Sequence, residues 1–274
     1  MELIKSTLAV GAEKPFVILH VSDIHLSESD KNDSERRREF AAKRKKYFAF
    51  APEAVAFIRD YVKKTGYPLI NTGDLLDFIT PENLRIAKVF AEETDMMMAA
   101  GNHEYWNCRF DRFHYDDAPA EYEGKNESLA RVAAEMGIDI RFSCKEINGV
   151  KLVCMDDSDY DIDEDVFEKL RAVEAEGKPI LLFLHIPLYS EHLGNSAKCS
   201  LNPPPQYFEN CHPVDVWERT PSERTKEICD YIRRSPLIRC VISGHVHRSI
   251  EVIGMDAQDQ LVTGMNTIRE ITVT

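Results

Sequence analysis

The 274-residue sequence predicts an α/β protein: two stacked mixed β-sheets flanked by helices, a four-layer αββα sandwich. Three observations predict it. Short apolar runs recur along the chain, each suited to a strand buried on both faces. Segments with helical periodicity lie between them, the order that builds a largely parallel sheet. The last stretch, 248–274, alternates around Gly254 and Gly264, as in an antiparallel edge of two or three strands.

Each run ends abruptly in polar residues. Phe16-Val17-Ile18-Leu19-His20-Val21 leads into Ser22-Asp23-Ile24-His25, and Tyr67-Pro68-Leu69-Ile70-Asn71 into Thr72-Gly73-Asp74. Met96-Met97-Met98-Ala99-Ala100 leads into Gly101-Asn102-His103-Glu104. Pro179-Ile180-Leu181-Leu182-Phe183-Leu184 stops at His185, and Ile238-Arg239-Cys240-Val241-Ile242 leads into Ser243-Gly244-His245-Val246-His247. A further strand over 150–156 runs into Asp156-Asp157-Ser158-Asp159. The helices expected between these runs cover 53–64, 81–93, 128–136, 163–176 and 222–234. Thr80-Pro81 and Pro221-Ser222 mark two helix starts, because proline presets the first turn.

In a sheet of this kind ligands bind beyond the carboxyl ends of the strands, and all the polar clusters fall at that edge. Gly73, Gly101 and Gly244 precede candidate ligands where the chain must turn without a Cβ in the way. Any one cluster could be an ordinary turn or strand end. Together they require a common explanation.

Asp23, His25, Asp74, Asn102, His185, His245 and His247 offer carboxylate, carboxamide and imidazole donors without a thiolate. That set suits Mn, Fe or Zn. Seven donors are too many for one ordinary site and fit two adjacent ions, divalent or of mixed valence, bridged by a carboxylate. Two such ions roughly 3.5–4 Å apart can activate a water and clamp both oxygens of an in-line displacement. The leaving oxygen then needs a proton, and His103, with an ordinary pKa of about 6.5, suits that task.

Asp23-x-His25, Gly73-Asp74-x-x-Asp77, Gly101-Asn102-His103-Glu104, His185 and Gly244-His245-x-His247 resemble the ordered signature of the calcineurin-like metallophosphoesterases. The resemblance spans 23–247. It implies one metal on Asp23, His25, Asp74 and His247, and a second on Asp74, Asn102, His185 and His245, with Asp74 as the bridge. It implies that His103 contacts the phosphate and assists the leaving group, and that Asp77 and Glu104 orient their neighbours. The family's protein Ser/Thr phosphatases carry Arg-Gly directly after the second motif. Here Phe78-Ile79 follows Asp77, which disfavours that branch.

The expected activity is hydrolysis of a phosphate mono- or diester of a soluble small molecule, a nucleotide being one candidate. Asp157, Ser158, Arg36 and Arg37 are candidate substrate contacts. A nuclease of the same family is one alternative; a non-catalytic scaffold is another, set against it by the intact donor set. The formal charge of −13 argues against broad nucleic-acid binding.

The chain reads as one domain over 1–274, with a charged insertion near 27–48 and a lid-like insertion near 188–220. A solvated helix face is the default for the basic cluster within 36–46. Seven cysteines without a C-x-x-C pair fit reduced thiols and, with no secretory leader or membrane span legible, a cytoplasmic location. Met96-Met97-Met98, Cys154 and Cys240 read as core, and His20 as a strand side chain. His192, Cys199, Cys211 and His212 fit no common metal spacing, and His114 suggests no partner.

Overall fold

Adjacent residues of the first long apolar run face different cores, and that alternation sets the layers. Leu19 and Val21 pack with Leu69, Met98 and Ile268 beneath helices, whereas Ile18 packs with Ile70 and Ile271 against Leu181, Phe183 and Ile242 of a second sheet. The protein is described as a computed structural model over residues 1–105, 124–208 and 220–274. Cys108, His114, Cys211, His212 and the 209–219 part of the expected lid lie outside the described residues.

Among these residues the first sheet has the order β1-β11-β2-β3-β4, from Glu2–Leu8 (β1), Phe16–Val21 (β2), Leu69–Asn71 (β3), Met97–Met98 (β4) and Thr267–Val273 (β11). Strands β2, β3 and β4 are parallel; β11 runs antiparallel to β2 and parallel to β1. The second sheet has the order β5-β6-β7-β8-β10-β9, from Phe142–Ile147 (β5), Val150–Met155 (β6), Ile180–Phe183 (β7), Ile238–Ser243 (β8), Ile250–Val252 (β9) and Gln260–Val262 (β10). Its β6, β7, β8 and β10 are parallel, with antiparallel edges at β5 and β9.

Helices Glu35–Arg44 (α1), Ala51–Thr65 (α2), Pro81–Thr94 (α3), Lys125–Met136 (α4), Glu164–Glu174 (α5) and Glu223–Arg234 (α6) complete the described helical layers. Helices α2, α3 and α4 cover the first sheet through Ile58, Phe90 and Val132; α5 and α6 cover the second through Leu170 and Ile228. Thr80 caps α3 by accepting from the Asn83 N–H, with Pro81 in the first turn as expected. At α6 the cap is Ser222, accepting from the Thr225 N–H, so Pro221 stands just outside the helix.

One expectation is corrected. The tail does not form one antiparallel edge: β9 and β10 pair in the second sheet, while β11 crosses to the first and lies between β1 and β2. The charged insertion carries a helix, α1, capped by Ser34 and with Ala41 buried. Met96 and Met98, Cys154 and Cys240 are core residues as expected. Burial pushes the Cys154 thiol up to about 12, and the five cysteines within the described residues are free.

Candidate metal and catalytic centre

Strands β2 and β3 of one sheet and β7 and β8 of the other end at a shared edge, and the chain turns there on left-handed residues. Asp23, His25, Asp74, His245 and His247 all have φ between 52° and 65°. This region costs a residue with a Cβ about 1–3 kcal/mol and is concentrated at functional sites. Gly101 and Gly244 allow the turns to close, since a Cβ on Gly101 would collide with Asp74 and one on Gly244 with Ser22 and Asp23.

Two groups of donors result. In the first, His247 Nε2 lies 3.4 Å from Asp23 Oδ1, and His25 Nε2 lies 3.7 Å from Asp74 Oδ2 and 3.9 Å from Asp23 Oδ1. The two imidazole nitrogens face each other at 3.1 Å. In the second, His185 Nε2 lies 3.4 Å from Asp74 Oδ2, 3.0 Å from Asn102 Oδ1 and 3.2 Å from His245 Nδ1. Asp74 Oδ2 faces both groups. Donors about 2.1 Å from one ion stand about 3–3.4 Å apart in octahedral or tetrahedral arrangement, close to these spacings.

The hydrogen bonds around the site aim lone pairs inward. His185 Nδ1 is 2.7 Å from the Thr72 carbonyl and His25 Nδ1 is 3.1 Å from Asp77 Oδ1, which turns each Nε2 to the centre. Asp23 Oδ2 accepts from the His245 N–H at 2.9 Å. Its Oδ1 is buried and has no hydrogen-bond partner among the described residues. A buried ionised oxygen in that state is costly unless a cation compensates it. The donor set therefore fits two metal ions.

Charge on the buried histidines points the same way. Burial alone would lower His185 and His103, but the surrounding carboxylates together outweigh it, Asp74 foremost, joined by Asp23 at His185 and Asp77 at His103, lifting His185 to about 10 and His103 to about 9. Burial holds His245 down to about 3, with His185 adding to it. The carboxylates thus draw positive charge into a place where neutral imidazoles are what a metal needs.

The remaining sequence candidates separate clearly. His103 is 15% exposed at its side chain, with Nδ1 2.7 Å from the Asp77 carbonyl. Glu104 is fully buried and accepts the N–H groups of Asp74, Leu76 and Gly101, tying the second motif to the third. Asp77 is fully buried against His25, His103, Ser27 and Arg44. Burial would raise Asp77, yet Arg44 and the two histidines hold it well below the usual carboxylate range.

Asp157 and Ser158, the candidate substrate contacts, are both 0% exposed, and their polar atoms are engaged within the protein. Asp157 accepts from the His185 and Ile186 N–H groups at 2.8 and 3.1 Å, and the Ser158 hydroxyl bonds Asp156 at 2.6 Å. Asp157→Ala is expected to lose about 1–3 kcal/mol in chemical denaturation, because two buried N–H groups lose their acceptor. A rise in KM at unchanged stability would instead restore the substrate role.

Arg37 pairs with Asp33 at 3.2 Å, and Arg36 lies on the exposed face of α1. Two residues at the site escape sequence reasoning. Arg44 reaches Asp77 from 33 positions away. The Tyr160 hydroxyl lies 2.6 Å from His245 Nε2, leaving Nδ1 to face His185, and Tyr160 itself is left-handed at φ 62°. The only sequence signal for Tyr160 was its place just beyond the Asp156–Asp159 run.

The sequence model of the calcineurin-like phosphoesterase family matches residues 16–249. Among solved structures, a dimetal phosphatase from Danio rerio superposes with a TM-score of 0.55 at 11% identity, covering 91% of this chain and 87% of its own. The phosphopantetheinyl hydrolase of Mycobacterium tuberculosis gives 0.46 at 15% identity, with 91% and 89% covered. The former likeness concerns the fold, and the latter is too distant to carry an argument. No curated protein matches the chain.

Proposed function

From its membership of the calcineurin-like phosphoesterase family, which makes this chain a metal-dependent phosphoric ester hydrolase, we propose that it cleaves mono- or diesters of a small soluble phosphorylated molecule. The observation that carries the reading is Asp74 Oδ2, which faces both donor groups at 3.7 Å from His25 Nε2 and 3.4 Å from His185 Nε2. A shared carboxylate oxygen at that point supports a dinuclear centre.

In our reading Asp23, His25, Asp74 and His247 hold one ion, and Asp74, Asn102, His185 and His245 the other, with Mn, Fe and Zn as the metals such donors suit. Two ions bound there would supply an activated water and neutralise charge on the phosphoryl group. The rest falls to the chain. Asp77 engages His103 through Nδ1, so Nε2 is the nitrogen that meets the substrate and delivers a proton to the leaving oxygen. Glu104, through three backbone N–H groups, keeps Asp74 and the Asn102 turn in register. No helix among the described residues is long and apolar enough to cross a membrane, and the free thiols fit a reducing compartment such as the cytoplasm.

The test is a paired rate measurement on an aryl phosphate monoester and the matching diester, with the protein loaded with Mn, Fe or Zn, followed by a nucleotide panel. Metal-dependent hydrolysis of at least one ester, abolished by chelation, is the expected result. Absence of hydrolysis under every metal would leave the scaffold alternative in its place.

A further inference from the structure

Segment 27–48 reads in sequence as a charged elaboration, but its helix turns one face to the active site. Phe40 packs edge-on against Phe78 with ring centroids 5.0 Å apart, and Ala41 is buried. One turn on, Arg44 meets Asp77 as a fork: Nε lies 2.6 Å from Oδ2 and Nη2 lies 2.6 Å from Oδ1. Just past the helix, Phe48 stacks on the His25 ring at 4.1 Å and 13°. The Arg44 guanidinium lies 5.0 Å from the Phe48 ring centre.

Asp77 is the hub on which this contact acts. Its Oδ1 lies 3.1 Å from His25 Nδ1 and 3.2 Å from His103 Nδ1, and its Oδ2 accepts from the Ser27 hydroxyl at 3.1 Å. A single side-chain torsion sets where both carboxylate oxygens point, so whatever fixes that plane bears on the His25 ring directly and on the His103 ring together with the Asp77 carbonyl, 2.7 Å from His103 Nδ1. A bidentate guanidinium does so; a point charge on a flexible stem does not. Ser27 alone holds one oxygen and leaves the plane free to turn.

We propose that Arg44 is a positioning residue of the active site: delivered by α1, it locks the Asp77 carboxylate and through it the rings of His25 and His103. The insertion is then a working wall of the centre, and its basic residues divide into Arg44, turned inward, and exposed neighbours such as Arg36 and Lys43. The rate part of this inference rests on the phosphoesterase reading; the geometric part does not.

The test uses the full chain with Arg44→Ala and Arg44→Lys. In metal-loaded Arg44→Ala, kcat is expected to fall about 10–100-fold, the usual cost of removing a partner outside the ligand shell, with KM nearly constant. Free guanidinium should restore part of that kcat saturably, whereas ammonium should not. Arg44→Lys should remain impaired, since it keeps the charge and loses the fork. Independently of turnover, long-range 1H–15N spectra of histidine-labelled, metal-free protein should show the His25 and His103 ring signals displaced in both variants, returning in Arg44→Ala with guanidinium.

Ring signals that stay at their wild-type positions in a folded variant overturn the proposal, whatever the rates do. Should Arg44→Ala fail to fold, Arg44→Lys decides, because it keeps an aliphatic stem and the positive charge. A wild-type protein without esterase activity would refute the proposed function, and the ring signals would still judge Arg44.

Discussion

Asp74→Asn is expected to abolish turnover and to reduce bound metal below two equivalents. The reason is the position of one oxygen. Asp74 Oδ2 faces both donor groups, while Oδ1 accepts from the His103 N–H at 2.9 Å. Asparagine keeps the size and one carbonyl oxygen, so the fold should survive. It removes the charge that two cations share and places an N–H donor against one of them. Loss of a partner outside the ligand shell already costs about 10–100-fold in affinity or activity, and a bridging ligand should cost more than that. Elemental analysis after desalting, run beside kcat/KM under saturating metal, separates the two effects. Full activity with two equivalents of metal retained would remove Asp74 from the bridge.

His103→Ala should behave in the opposite way, keeping the metals and losing rate. His103 sits at the rim of the donor groups, with Nδ1 on Asp77 and its side chain 15% exposed. If its Nε2 protonates the leaving oxygen, the loss should reach about 10²–10⁴-fold for alkyl phosphates and shrink for nitrophenyl esters, which depart without help. The pH dependence follows with a definite sign. Burial opposes protonation, but Asp74 and Asp77 raise His103 to about 9, so the acid is present below that value and is lost as pH rises through it. Cations on Asp74 would lower the midpoint. The wild-type rate with an alkyl ester should therefore fall on the alkaline side, and His103→Ala should lack that limb. Release of metal by the same substitution would reassign His103 to the ligand shell.

The candidate centre was legible because its parts obey short-range rules. Each candidate ligand follows a strand whose apolar run marks its length, and a strand that ends at the common edge must deliver its next residues there. Helix α3 was legible for a similar reason, with Thr80 and Pro81 together marking its first turn. The unread parts depend on which distant elements meet. Strand β1 is half exposed at the sheet edge and β5 is nearly so, so neither has the apolar run that identified the others. Strand β11 alternates just as β9 and β10 do, and nothing local tells which sheet it will join. Arg44 read as solvated because the charges around it are. Asp157 read as a substrate contact because it follows a strand like the ligands, whereas its carboxylate is spent on the backbone of β7's exit.

That last strand has a consequence for how the molecule is made. Residues 267–273 form seven paired positions with β1 and five with β2, so β11 is a keystone between two strands that precede it by roughly 250 residues. Until it is synthesised, β1 has no strand partner among the described residues and β2 offers a raw edge to any passing strand. Strand β3 and the turn after it can already hold the segment of Asp23 and His25, but the other flank of β2 stays open until residues 267–273 emerge. Contacts this distant in sequence slow folding and prolong exposure to misassociation. Nonsense mutations just upstream of Thr267 would remove no donor to the metals, yet should yield insoluble product.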